Sequence, residues 1–210
     1  RVESDSNANM LFVDGGNNRV GIGTNAPERA LVVAGADSAG VQTQYVNTST
    51  GSALGDGFTV GINGSEQAEF WNMENTAMLF GTNSVERMRI DSEGVAAFEA
   101  GTSGKYTAVT SSSNAVSLNL QLGDNFSHDL TENTTISFAN PAASGKVSTA
   151  TLRVIQGSTA RTITWHSSIK WAGDTAPTLS SGNDDVDVFV FYTVDAGTTY
   201  YGFTAGQDMS

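Results

Sequence analysis

The chain has 210 residues, with 22 acidic against 10 basic side chains for a net charge of −12, and no cysteine. That length can bury one large or two small cores, the absence of thiols excludes a disulfide framework and thiolate metal sites, and so few scattered cations argue against a phosphate-neutralising surface, hence against a nucleic-acid partner. The acidity is shared, residues 1–100 carrying 13 acidic and 5 basic side chains and residues 101–210 carrying 9 and 5, so it reads as a solubility device and not as a charged tail.

No apolar window approaches the length of a membrane-spanning helix, and no basic segment leads into an apolar run, so neither membrane insertion nor a signal peptide is expected. A start at Arg1 fits a piece of a longer chain or a processed form. Strong helix formers are scarce while Gly, Ser, Thr and Asn abound, so the expected class is all-β.

In chain order, Met10–Val13 and Arg19–Ile22 flank the turn Asp14-Gly15-Gly16-Asn17-Asn18, which is a hairpin signal. Gly21-Ile22-Gly23-Thr24-Asn25-Ala26 matches the dinucleotide-binding fingerprint formally but lacks the helix and the acidic residue that the fingerprint needs, and reads as a glycine-kinked strand and turn. Ala34–Asp56 reads as loop, with Gln42–Val46 a short strand within it. Then come five short strands: Phe58–Ile62, Ala68–Asn72, Ala77–Phe80, Arg87–Ile90 and Val95–Phe98. Strands this short, with so few bulky side chains, cannot enclose a core alone and are expected to pack against copies of the chain.

A composition change at Ala100–Gly104 places a domain boundary, giving residues 1–103 as a short-strand, intertwined, fibre-like shaft and residues 104–210 as a β-sandwich or jelly-roll module. Strands are expected at Tyr106–Thr110, Val116–Leu120, Asn125–Leu130, Thr134–Phe138, Val147–Gln156 and Arg161–His166. They are followed by a hairpin whose strands, Val186–Val194 and Thr199–Phe203, are joined through Asp195-Ala196-Gly197. In the first of these strands, Val186, Val188, Val190, Tyr192 and Val194 are expected to fill the core. Phe189 and Phe191 would then project outward and meet copies of themselves on a threefold axis.

Candidate chemistry is sparse. His128 and His166 are the two histidines, neither beside a nucleophile elbow, and both read as hydrogen-bonded rim or interface residues. Glu66 with Glu69, and Asp185 with Asp187, are the nearest carboxylate pairs for glycoside hydrolysis, but no cleft is evident beside them. Asp184, Asp185 and Asp187 gather oxygen ligands that a calcium ion could use, with a solvated acidic stretch as the plainer reading. Calcium is the one candidate cofactor. Trp165 alternates into the core, whereas Trp171 and Tyr200 are the candidate receptor or glycan contacts.

Two strings, RVGIGTNAPERALVV (Arg19–Val33) and DGFTVGINGSEQAEFWNMENTAMLFGTNSVERMRIDSEG (Asp56–Gly94), resemble the repeated strand-turn units of tailed-bacteriophage fibre and appendage proteins. From Asn114–Val116 through Leu130–Ile136 to Phe203–Met209 the chain resembles a small β-module that ends many phage structural proteins, particularly marine ones. The resemblance implies a homotrimeric, non-enzymatic virion component that contacts other virion proteins, with an intertwined shaft and a tip that attaches to a bacterial surface glycan or protein receptor. Related strings occur in tail fibres, head fibres and spikes, so a capsid decoration or head-fibre protein and a polysaccharide-degrading tailspike are the alternatives. Fibres of this kind often continue, after a unit like Val85–Gly94, into a helical self-cleaving chaperone. Nothing after Ala100 reads as helical, so self-cleavage is not carried over.

Overall fold

The computed structural model describes residues 9–35 and 38–209; Arg1, and Ala36 and Asp37 of the expected Ala34–Asp56 loop, lie outside them. The described chain is nearly all β, relieved by a single 3-10 turn at Ala172–Asp174. It divides into two compact units, Arg1–Gly101 and Thr102–Ser210.

The first unit contains three separate three-stranded sheets. In the first sheet, β1 (Phe12–Asp14) and β2 (Arg19–Ile22) are antiparallel, and β3 (Leu31–Val33) runs parallel to β2. The β1–β2 turn is closed by Asp14, whose Oδ1 accepts the amides of Gly16 and Asn17, each at 3.1 Å. No helix follows the glycine-rich stretch. Gly23 sits at φ 79°, where a Cβ would stand 2.1 Å from the Ala34 carbonyl, so this glycine serves a close backbone approach. The second sheet is the meander β4 (Gly40–Tyr45), β5 (Phe58–Asn63) and β6 (Ala68–Asn72), and the third is β7 (Met78–Thr82), β8 (Val85–Ile90) and β9 (Ala96–Phe98).

The second unit is two facing sheets, one of six strands and one of three. β10 (Tyr106–Val109), β12 (Asn125–Asp129) and β14 (Ser148–Ile155) lie parallel in the larger sheet, while β11 (Ala115–Asn119), β13 (Thr134–Ala139) and β15 (Ile163–Thr164) lie parallel in the smaller. The chain therefore winds as a coil, passing from one sheet to the other at each strand, with the opposite sheet's strand supplying the crossover that parallel neighbours need. A jelly roll is antiparallel throughout, so this part of the expectation is replaced by a coil. After β16 (Ile169–Lys170), the antiparallel pair β17 (Val186–Thr193) and β18 (Tyr200–Gly206) completes the large sheet in the order β10-β12-β14-β17-β18-β16.

The facing of β17 is the reverse of the sequence expectation. Phe189 and Phe191 are 0% exposed, and Asp187 and Thr193 point inward with them, while Val186, Val188 and Val190 are half-buried and Tyr192 and Val194 exposed on the outer face. The rings are covered by their own chain. Phe191 meets Phe138 edge-on at 5.0 Å, and Phe189 meets Trp165 at 4.8 Å. Across the sheet Phe191 lies between Ala150 and Gly202, two small residues, and the inner layer around its ring is closed by Phe138, Trp165 and Trp171, the last packed over Gly202. Phe189 and Phe191 are core residues and not an oligomer interface.

Candidate functional site

Each of the acidic residues proposed for a cation has its own local partner. Asp184 is exposed and accepts from Asn183 Nδ2 at 2.7 Å; Asp185 accepts the Gly182 amide through Oδ2. Asp187 is buried and accepts from the Ser180 amide at 2.8 Å, the Ser180 hydroxyl at 2.7 Å and the Asp208 amide at 3.1 Å. Among the described residues, no group of three or more His, Asp or Glu side chains converges as a metal site. The cluster legible in the sequence is thus pulled apart: the inward turn of Asp187 removes it from the loop and makes it the tie between the C-terminal Asp208 and the Ser180 loop.

The aromatic contact candidates move inward as well. Tyr200 is buried, stacked on Phe138 with ring centres 4.0 Å apart, and burial pushes its phenol pKa upward. Trp171 is half-buried, edge-on to Trp165 at 5.1 Å and packed over Gly202, with its indole nitrogen enclosed. Tyr200 therefore presents no free face to a sugar ring, whereas Trp171 stays half-buried and lines an open hollow together with Pro177 and Phe203. Trp165 packs against the core, as its alternation with Thr162 and Thr164 suggested.

The histidines have structural partners. His166 is exposed, its Nδ1 accepting the Ser168 amide at 3.2 Å. His128 is fully buried, with Nδ1 3.1 Å from the Val109 carbonyl and Nε2 3.2 Å from the Thr134 hydroxyl. Glu66 lies in a turn at φ 62°, whereas Glu69 accepts from Gln42 Nε2 and Asn63 Nδ2, both at 2.7 Å.

Two kinds of surface emerge that single-residue reasoning missed. In the first unit every sheet has one apolar face. On β4–β6 the rows Tyr45–Phe58, Val60–Phe70 and Val41–Ile62 share a face, and on β7–β9 so do Met78–Ile90–Ala96 and Phe80–Met88–Phe98. The small sheet repeats this with Val13–Val20–Leu31 and Ile22–Val33. Within the described part of this unit the buried positions are Gly21, Pro27, Gly57 and Thr59, and no aromatic or branched aliphatic side chain is among them. Phe70 stands 65% and Phe98 55% exposed. The opposite faces are more polar, with Gln42 bonded to Glu69 on one and Arg89 paired with Glu86 on the other. The signal was present in the sequence as the alternation Phe58, Val60, Ile62, but only the pairing register shows that whole faces are apolar.

Comparison with protein-family models, curated proteins and solved structures finds no match. The functional reading therefore rests on the chain's own surfaces. In the second unit, the outer face of β17 and β18 shows Tyr192, Tyr201 and Phe203, with Tyr192 and Tyr201 rings 6.4 Å apart. These side chains occupy the outward position assigned from sequence to Phe189 and Phe191.

Proposed function

We propose that this chain is a structural and interaction protein of a bacteriophage virion, a fibre or spike in which residues 1–103 form a shaft shared by three chains and residues 104–210 a globular module used for attachment to a host surface. The observation that carries the reading is the uncovered apolar face on each of the three sheets in the first unit. Ordering a residue costs roughly 1–2 kcal/mol of backbone entropy, and an aromatic or branched side chain returns about 1.5–3 kcal/mol only when it is buried. Sheets that leave these faces in water lack that return. Copies of the same chain, each presenting the same faces, supply the cover without a second gene product, and closed symmetry limits the assembly. The number three comes from the resemblance to phage fibres.

Sedimentation equilibrium of the full chain tests this: the expected species has three times the 21.9 kDa mass of one chain, and a monomer at micromolar concentration overturns the reading. Electron microscopy of purified protein beside intact particles separates the alternatives, a slender appendage supporting a fibre or spike and a lattice across the capsid supporting decoration. Incubation with bacterial polysaccharide is expected to give binding without release of reducing ends, and sustained product formation would favour the tailspike alternative.

A further inference from the structure

We propose that the hollow at the free edge of β18, between Phe203 and the segment from Trp171 to Pro177, binds an uncharged pyranose ring of a surface saccharide, with the sugar lying against Trp171 and Phe203. The site rests on the reading of residues 104–210 as the attachment module and supplies its receptor chemistry. The hollow has a volume of about 370 Å³ and is lined by Trp171, Thr175, Pro177, Gly202, Phe203 and Thr204. Ligand sites run from about 300 to 1,000 Å³, so this one has room for a sugar ring or a disaccharide.

The hollow exists because one strand is shorter than its neighbour. β18 runs from Tyr200 to Gly206, but β16 pairs with it only at Tyr200 and Tyr201. The Tyr200 amide donates to the Ser168 carbonyl at 2.9 Å, on the β16 side, so alternation turns the backbone groups of Gly202 and Thr204 to that same side. Beyond Lys170 the chain leaves the sheet through the Ala172–Asp174 turn, and among the described residues no further strand lies beside the Thr204 amide and carbonyl. The far wall is tied down: Trp165 Nε1 donates to the Pro177 carbonyl at 3.4 Å, and Gln207 Nε2 donates to the Thr178 carbonyl at 2.6 Å. Trp171 is fixed from within, edge-on to Phe189 and Phe191 at 6.1 and 5.9 Å and seated over Gly202, where a Cβ would stand 2.8 Å from its six-membered ring. An aromatic wall that is already held costs a ligand little ordering.

The lining selects the ligand. Apolar surface comes from Trp171, Pro177 and Phe203, and polar partners come from neutral groups alone. They are the Thr204 backbone and hydroxyl and the Thr175 hydroxyl, whose hydrogen goes to the Gly173 carbonyl at 3.1 Å so that its oxygen is left to accept. The chain carries 22 acidic and 10 basic side chains, yet among the described residues none that lines the hollow is charged. An anion or a cation would find no counter-charge there, whereas a neutral ligand leaves none unpaired. A pyranose meets both demands, with a face of C–H groups for an aromatic ring and a rim of hydroxyls that donate and accept. A peptide strand added to the β18 edge is the competing occupant. Strand addition draws its affinity from main-chain bonds, and only Gly202–Thr204 of this edge borders the hollow.

The test is 1H–15N correlation of the tryptophan indole signals of the full chain, with the signal that Trp171→Phe removes taken as the reporter and that of Trp71, in the first unit, as the control. The probes are methyl β-D-galactopyranoside, methyl β-D-glucopyranoside and N-acetylglucosamine, each carried into the tens of millimolar. At least one is expected to move the Trp171 signal saturably and leave the Trp71 signal fixed, while sorbitol, a polyol without a flat face, and a Thr-Val hexapeptide move neither. Phe203→Ser, at an exposed position, is expected to keep the thermal midpoint and to weaken saccharide binding about tenfold, the loss of one aromatic contact. No saturable shift with any of the pyranosides, an equal shift with sorbitol, a shift with the peptide alone, or unchanged affinity in Phe203→Ser would each overturn the site. Retention of the full chain on bacterial polysaccharide, measured beside these, separates the two levels: retention that persists with any of those results leaves attachment standing and puts the contact elsewhere, and its absence removes the attachment reading as well.

Discussion

Phe191 turns inward between the small residues Ala150 and Gly202, where Phe138, Trp165 and Trp171 pack around its ring. Removing it leaves a cavity: Phe191→Ala is expected to cost about 3–5 kcal/mol, measured by urea unfolding followed through Trp165 and Trp171 fluorescence. Phe203→Ser, on the exposed outer face, should change that transition by less than about 0.5 kcal/mol. Asp195 makes a pH-dependent contribution nearby. Its carboxyl is held below the ordinary range, chiefly by the Thr199 amide and then by the Thr193 hydroxyl, which donate to Oδ1 at 2.9 Å each. A carboxyl depressed in the folded state stabilises above its unfolded pKa of about 3.9, and that support is lost as pH falls through the lower folded value. Exchange of the Thr199 amide should therefore accelerate, relative to intrinsic rates, below about pH 4, and Asp195→Asn should remove this dependence.

The elements of the first unit are one-sided sheets, and their two faces should respond differently to charge. Phe98 lies on the apolar face of β7–β9 with Phe80 and Met88, whereas Leu79 lies on the other face opposite Arg89. On the proposed reading of a shaft shared between chains, Phe98→Asp is expected to dissociate the assembly, because a carboxylate buried among apolar side chains without a partner costs several kcal/mol. Leu79→Asp, placed across from Arg89, should leave the assembly intact. Sedimentation of both variants beside the wild type checks this, and dissociation by Leu79→Asp alone would place the interface on the opposite face. In the second unit the corresponding element is the coil, whose parallel neighbours come from successive windings through the two sheets.

For the whole molecule the expectation is an assembly held by apolar faces and hydrogen bonds without a metal ion. Asp187 spends both oxygens on Ser180 and Asp208, while one oxygen of Asp184 is held by the Asn183 side-chain amide and one of Asp185 by the Gly182 amide. EDTA, and separately millimolar calcium, are expected to shift the thermal midpoint by no more than replicate scatter. A clear rise with calcium that disappears in Asp184→Asn would restore the cation site.

The sequence by itself determined the all-β class and the position of nearly every strand, down to Ala68–Asn72 and Arg19–Ile22, which coincide with β6 and β2. Strand runs and turn residues such as Asp195-Ala196-Gly197 are local signals, set by side-chain branching and by the φ values that each residue tolerates. What only the tertiary structure decided is which side of a strand is inside. Alternation in Val186–Val194 offers two sets, valines and phenylalanines, and chooses neither; the choice falls to Ala150, Gly202, Phe138 and Trp165, residues distant in the chain whose volumes must fit together. The same holds for coil against jelly roll, since regular turn spacing fixes where a strand ends but not whether the next one pairs beside it or crosses to the facing sheet.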